Sequence, residues 1–184
     1  ATRYGNVMAS RGSVIPLFCN QIITGKPITI TNPFMTRFMM NLNNAIDLVF
    51  FAFNNASSGD IFVQKAPAAS IETLSNSLLE VFNKEKYKKN IIGTRHGEKL
   101  HEVLLSKEEI FAAEDLGEYY KIPPDLRDMD YGKYFEKGEI ELTDKNEYSS
   151  SNTKQLNTSQ LKEMLCELDY IKDFLKGKFP IQNI

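Results

Sequence analysis

Along the first half of the chain the apolar positions switch repeatedly between short β-branched runs and helical spacing. Thr2 to Val7 reads as a short strand entering a glycine-containing loop. Ser13 can cap a helix from Val14 to Thr24, with Pro16 tolerated in its first turn and Gly25 ending it. Ile28-Thr29-Ile30-Thr31 is β-branched and strand-like, and Asn32-Pro33 turns the chain. From Leu42 to Asn54 the chain is apolar on nearly every side (Ala45, Ile46, Leu48, Val49, Phe50, Phe51, Phe53), which predicts a largely buried helix. Ser57-Ser58-Gly59 breaks it, Asp60 to Lys65 reads as a strand, and Pro67 closes that strand. Ser70 caps a helix whose apolar positions Ile71, Leu74, Leu78 and Val81 fall at helical spacing, with Phe82 one residue on. Lys84 to Lys89 reads as a solvated helix end and Asn90 to Thr94 as another short strand.

That alternation predicts the α/β class, yet it supplies too few elements for a complete doubly wound nucleotide domain. After Lys107 the pattern weakens, so the chain divides into an α/β part over 1–106 and a loop and helical extension over 107–184. Glu108 to Ala113 reads as a helical turn, Tyr119 to Pro124 as extended chain, Asp125 to Gly138 as an ordered loop and Glu139 to Thr143 as an edge strand. A helix ends the chain, with Asn157 and Gln160 as a capping box, Leu156 and Leu161 as a hydrophobic staple, and Leu161, Met164, Leu165 and Leu168 as its buried stripe.

Composition changes this picture little. The 184 residues are 42% hydrophobic and 25% charged, as in an ordinary globular protein. A net charge of −2 gives no global bias toward nucleic acid or an anionic membrane, so any anion site must be a local cluster. Cys19 and Cys166 lie in helical segments outside any Cys/His pattern, which predicts free thiols in a reducing compartment and no metal site. The N-terminus lacks a signal-peptide pattern, and the longest apolar run, Ala45 to Phe53, contains Asp47 and falls short of the ~20 residues that span a bilayer.

Neither a G-x-G-x-x-G, a P-loop nor an H-E-x-x-H is present, and the two histidines, His96 and His101, support no nucleophile–base pair. No catalytic residue is assigned. What remains is a set of small residues and arginines flanking elements. Asn6, just after a strand, is either a turn former or an amide that donates to a phosphate. Arg11-Gly12-Ser13 stands at a helix start, where N–H groups favour an anion or receive an ordinary cap. Met35-Thr36-Arg37-Phe38 puts an arginine between apolar residues at the entry to a buried helix, where it needs an internal carboxylate or a ligand phosphate. Gly93-Thr94-Arg95-His96-Gly97-Glu98-Lys99 follows a strand end and reads as a ligand loop or a charged surface turn. Together these loops suit a diphosphate bridged by two guanidinium forks.

The run Arg3-Tyr4-Gly5-Asn6-Val7-Met8-Ala9-Ser10-Arg11-Gly12-Ser13-Val14-Ile15-Pro16 resembles the segment that follows the catalytic helix in UDP-N-acetylglucosamine 4,6-dehydratases of surface-polysaccharide synthesis, which are extended short-chain dehydrogenase/reductases. The resemblance continues through Thr29-Ile30-Thr31-Asn32-Pro33, Met35 to Phe38, Gly59 to Pro67 and Gly93 to Lys99. It reaches Glu147-Tyr148-Ser149-Ser150-Ser151-Asn152-Thr153, which is similar to the capsule-type, 5-epimerising branch.

The resemblance implies a partial Rossmann-like sheet edge joined to the mixed α/β substrate-binding lobe of that family. It implies that Asn6 contacts the UDP diphosphate, that Ser13 and Val14 lie along the nucleotide-sugar path, and that Thr29, Ile30 and Thr31 run beside the uracil through backbone bonds. Arg37 and Arg95 would clamp the diphosphate, Glu98 would sit near the ribose, and Tyr4 and Gly5 near the nicotinamide. The family's glycine-rich NADP loop and catalytic lysine motif would precede this point, so the chain reads as the C-terminal half of a bacterial cytoplasmic NADP(H) enzyme that commonly forms homo-oligomers. By itself it is expected to be inactive and to bind no cofactor. Two other readings stay open: a UDP-sugar 4-epimerase, and a non-catalytic UDP-sugar-binding or assembly module.

Overall fold

A computed structural model describes residues 1–124 and 146–178. In chain order the elements are β1 (Thr2–Arg3), α1 (Val14–Ile23), β2 (Ile28–Ile30), β3 (Thr36–Phe38), α2 (Leu42–Asn55), β4 (Ile61–Gln64), β5 (Ala68–Ser70) and α3 (Ile71–Val81). They continue with β6 (Lys89–Ile91), β7 (Val103–Leu105), α4 (Lys107–Ala112), β8 (Glu114–Asp115), β9 (Tyr119–Ile122), β10 (Tyr148–Ser149), α5 (Thr158–Glu167) and α6 (Asp169–Leu175). The α/β class is therefore as the pattern predicts. The loop predicted over Asp125 to Gly138 and the edge strand over Glu139 to Thr143 lie outside the described residues.

The chain forms two compact units, each assembled from separate stretches. The first comprises Ala1–Tyr4, Asn43–Lys65 and Val103–Ser149. Its sheet has the order β1-β4-β9-β8, with β1 parallel to β4 and the other pairs antiparallel. Helix α2 lays Leu48 and Ala52 on Phe62 of this sheet, and Phe51 meets Tyr119 at 4.4 Å between ring centroids. The expectation that α2 is largely buried does not hold: Phe53 is 87% exposed, Phe50 64% and Val49 48%. A helix on one sheet face can bury only the stripe that meets the sheet, and apolar residues elsewhere on its surface stay exposed among the described residues.

Arg3 ties β1 to α4 through a bidentate pair, Nη1 donating to Glu109 Oε2 at 2.7 Å and Nη2 to Oε1 at 2.8 Å. Glu109 also completes the capping box of α4, accepting from the Ser106 N–H at 3.0 Å. These donors, Arg3 foremost, hold the Glu109 carboxyl below its ordinary value despite partial burial. A carboxyl depressed in the folded state contributes its full stability above the unfolded value and loses it as pH falls through the folded one. Thermal midpoints are therefore expected to fall more steeply below about pH 4.5 in the native chain than in Glu109→Gln. Parallel acid limbs in the two proteins would refute the assignment.

The second unit comprises Gly5–Leu42, Ala66–Glu102 and Ser150–Ile184. Its core is helical: Ile15, Phe18, Cys19 and Ile22 of α1 meet Leu74, Leu78 and Leu79 of α3, Leu161 and Leu165 of α5, and Ile171 and Phe174 of α6. Ser70 caps α3 by accepting from the Thr73 N–H, and Asn157 and Gln160 form the predicted capping box of α5, with Leu156 and Leu161 both buried. The single terminal helix of the sequence reading is instead two. Leu168 leaves helical geometry (φ −69°, ψ 127°), and α6 starts after it. At 3.6 residues per turn, Phe174 would stand far from Leu161 around a straight continuation, so the break re-aims it into the core.

Three short pairings also differ from the pattern. The strand predicted from Thr2 to Val7 stops at Arg3, and Val7 instead bridges Met40. Helix α3 ends at Val81, so Lys84 to Lys88 form connecting chain and Lys89 already pairs with Ile28 in the parallel β2–β6 pair. Arg37 lies not at a helix entry but in β3, antiparallel to β5 with Arg37 opposite Ala69.

Cys19 is fully buried and burial pushes its thiol up to about 12, whereas Cys166 is exposed. A thiol reagent near pH 8 is expected to modify one cysteine in the native chain, Cys166, and both in denaturant. Rapid native labelling of Cys19 would show that the α1 packing is wrong. Among the described residues, no helix is long and apolar enough to cross a membrane.

Candidate functional site

The candidate residues gather in the second unit, around the start of α1. Before it, Met8 N–H donates to Met40 O at 2.8 Å, Ala9 takes a left-handed φ of 58°, and Ser13 N–H donates to Ser10 O at 3.0 Å. This turn brings Ser13 to the N-cap with extended backbone (φ −83°, ψ 173°) but no side-chain cap bond. Its Oγ is enclosed and has no hydrogen-bond partner among the described residues. The first-turn N–H groups of α1 therefore lack the usual side-chain acceptor. Gly5, upstream, is required by packing: a Cβ there would lie 2.7 Å from Phe38 Cβ.

Strand β2 supplies a second wall. Ile28 and Ile30 are buried, which by strand alternation turns Thr29 toward the opposite side. Gln21 of α1 holds Thr29 at two points, donating to its Oγ1 at 2.7 Å and accepting its N–H at 3.1 Å. Thr31, one residue beyond β2, donates to Met35 Sδ at 3.4 Å.

Arg37 is held from several directions. Its Nη1 donates to Thr36 O at 2.7 Å and Leu100 O at 3.2 Å, its Nη2 donates to Lys99 O at 2.9 Å, and Nε stands 3.5 Å from Glu102 Oε1. Of the two partners the sequence leaves open for this arginine, the structure supplies the internal carboxylate. Arg95 sits on the loop after β6, where Glu98 folds back so that its Oε2 accepts the Arg95 N–H at 3.0 Å.

These elements enclose a pocket of about 310 Å³. Asn6, Ser13 and Val14 line it from the first loop and α1, Thr29 and Thr31 from β2 and its end, Arg37 from β3, and Arg95 and Glu98 from the later loop. Ile71 and Leu74 add apolar surface. Ile30 belongs to the core, and Tyr4 and Gly5 do not line the pocket. Sequence reasoning missed Gln21 and Glu102. Nothing local marks either one, because each acts on a residue that only the fold brings beside it. An apolar cleft with two guanidinium groups and hydroxyls suits a phosphorylated ligand that also carries a ring. Among the described residues, no group of three or more His, Cys, Asp or Glu could hold a metal ion.

A family model described as "Polysaccharide biosynthesis protein" matches residues 1–124, and a second, "Polysaccharide biosynthesis protein C-terminal", matches 125–172. A protein named UDP-glucose 4-epimerase from Rickettsia bellii (strain OSU 85-389) is 57% identical over 176 residues, covering 96% of this chain and 51% of its own. A protein of the same name from Rickettsia rickettsii (strain Sheila Smith) is 55% identical over the same shares. Among solved structures, Pen from Bacillus thuringiensis superposes with a TM-score of 0.75 at 35% identity, over 91% of this chain and 48% of that one. The chain spans about half the length of the curated relatives it matches.

Proposed function

The chain belongs to the polysaccharide biosynthesis protein family, and from that premise we propose that it is the UDP-sugar-binding part of a nucleotide-sugar-converting enzyme of the extended short-chain dehydrogenase/reductase type. The observation that carries this reading is that one pocket receives both Arg37 and Arg95 beside the start of α1, which has no side-chain cap. In it, Arg37 and Arg95 meet the diphosphate, Asn6 donates to it, and Ser13 and Val14 lie along the path of the nucleotide sugar. Thr29 and Thr31 lie beside the uracil, where Gln21 already takes the Thr29 N–H, whereas Ile30 between them faces the core. Glu98 lies toward the ribose.

For the whole protein, the reaction proposed is dehydration of UDP-N-acetylglucosamine across C5–C6 after oxidation at C4, following the motif resemblance. The second reading is 4-epimerisation, favoured by the name that the 55–57% identical relatives carry. Either reaction needs a nicotinamide cofactor, NADP(H) in the family resembled. Of the two residues offered toward it, Tyr4 is 44% exposed and its ring is open, whereas the space beside Gly5 is filled by Phe38. Most of the cofactor site is assigned to the rest of a bacterial cytoplasmic protein that assembles into oligomers. Consistent with such a complement, α2 offers its exposed apolar residues, Phe50 and Phe53 foremost, to that cofactor-binding portion.

Incubating the full-length protein with UDP-N-acetylglucosamine and NADP(H) separates the readings. A 4-keto-6-deoxy product supports dehydration, and recovery of only the C4 epimer supports epimerisation. Failure of UDP at millimolar concentration to bind the chain would remove the binding assignment itself.

A further inference from the structure

We propose that Thr36, His101 and Ser150 are positioning residues that staple together the two segments holding Arg37, and that affinity for the UDP diphosphate depends on this staple. The proposal rests on the diphosphate role given to Arg37 above. None of the three residues lines the pocket.

Among the described residues, the oxygen partners of Arg37 come from two places: Thr36 O in β3, and Lys99 O, Leu100 O and the Glu102 carboxylate in the following segment. One backbone bond joins those places directly, Thr36 N–H to Leu100 O at 3.0 Å. The rest of the junction is polar side chain. Ser150, with no solvent exposure, grips Glu102 at both backbone groups: its N–H donates to Glu102 O at 2.8 Å, and its Oγ accepts the Glu102 N–H at 2.9 Å. The same Oγ reaches Thr36 Oγ1 at 2.7 Å and donates to Thr36 O at 3.1 Å. Thr36 Oγ1 in turn meets His101 Nδ1 at 2.7 Å.

Each hydroxyl has one proton, and that settles the directions. A carbonyl cannot donate, so the Ser150 proton goes to Thr36 O. Ser150 Oγ is then the acceptor for Thr36, whose proton is spent there, and Thr36 Oγ1 is the acceptor for His101. All contacts are satisfied when His101 carries a proton on Nδ1. The chain of donors ends on Thr36 O, the same oxygen that receives Arg37 Nη1 at 2.7 Å. Removing one hydroxyl leaves buried groups unpaired and frees the 99–102 segment to move away from β3. Arg37 then keeps its charge but loses its fixed plane, which is what a bidentate phosphate contact uses.

The test uses the 184-residue chain with Thr36→Val, Thr36→Ser and Ser150→Ala. Nitrogen-15 NMR of the two imidazoles should find His101 as the Nδ1–H tautomer in the parent chain and in Thr36→Ser, and not in Thr36→Val. The Arg37 Nε–H should exchange slowly in the first two and rapidly in Thr36→Val and Ser150→Ala. The dissociation constant for UDP should rise roughly tenfold in Thr36→Val and Ser150→Ala and stay within about twofold in Thr36→Ser. In an Arg37→Lys background, Thr36→Val should cost little more, an outcome that general destabilisation would not produce. A parent chain with His101 as Nε2–H overturns the staple even if a variant fails to fold. So does parent-like Arg37 exchange, or parent-like UDP affinity, in folded Thr36→Val. If the parent chain binds no UDP, the functional reading falls, and the tautomer and exchange results still judge the staple.

Discussion

Arg37→Ala is expected to weaken UDP binding by roughly 10- to 100-fold, the equivalent of losing a charge-assisted contact of ~1.5–3 kcal/mol. Arg37 lies in a short strand with its guanidinium at the pocket, only partly exposed, so water screens it less than it would a surface arginine. Arg37→Lys should fall between the two, since it keeps the charge and loses the fork. Titration calorimetry with UDP reads both. Part of any loss comes from freeing Glu102, which faces the arginine at 3.5 Å and, once unpaired, repels an incoming phosphate. For this reason Arg37→Ala combined with Glu102→Gln should recover some affinity. An Arg37→Ala chain that binds UDP like the parent would move the ligand elsewhere.

Leu78→Ala is expected to cost ~3–4 kcal/mol of unfolding free energy. Leu78 is fully buried in α3, within the cluster shared with α1, α5 and α6, and truncating it opens a cavity that those helices cannot close without disturbing one another. Urea unfolding measures it through a lower midpoint at unchanged slope. The contrasting substitution is Phe53→Ser on α2, which is expected to change stability by less than about 0.5 kcal/mol, because that ring is already in water. Equal losses at the two positions would mean that the core is not where the packing puts it.

The helices were legible because their signals are local. Ser70 and Asn157 announce the starts of α3 and α5 through side chains that reach only three residues along, and Gly25, with its left-handed φ of 69°, follows the end of α1 as its composition predicts. The short strands β3 and β5 were not legible. Three residues are too few to show alternation, and what makes them strands is each other's backbone. The burial of α2 was overestimated because apolar content says how much surface a helix could hide, not how much neighbouring surface the chain brings to it.

Of the site, the candidate residues that line the pocket were written in the sequence, since Asn6, Ser13, Thr29, Thr31, Arg37, Arg95 and Glu98 occur in short runs beside turns and strand ends. Chemistry at one position depends on residue type, and a run of a few residues carries that. How those side chains are held was decided only by the tertiary structure. Gln21 on Thr29, Glu102 on Arg37, and Ser150 on Thr36 from far along the chain are contacts between segments with no local signature. Hydrogen bonds and ion pairs act over about 3 Å, and only the fold determines which distant residues come that close.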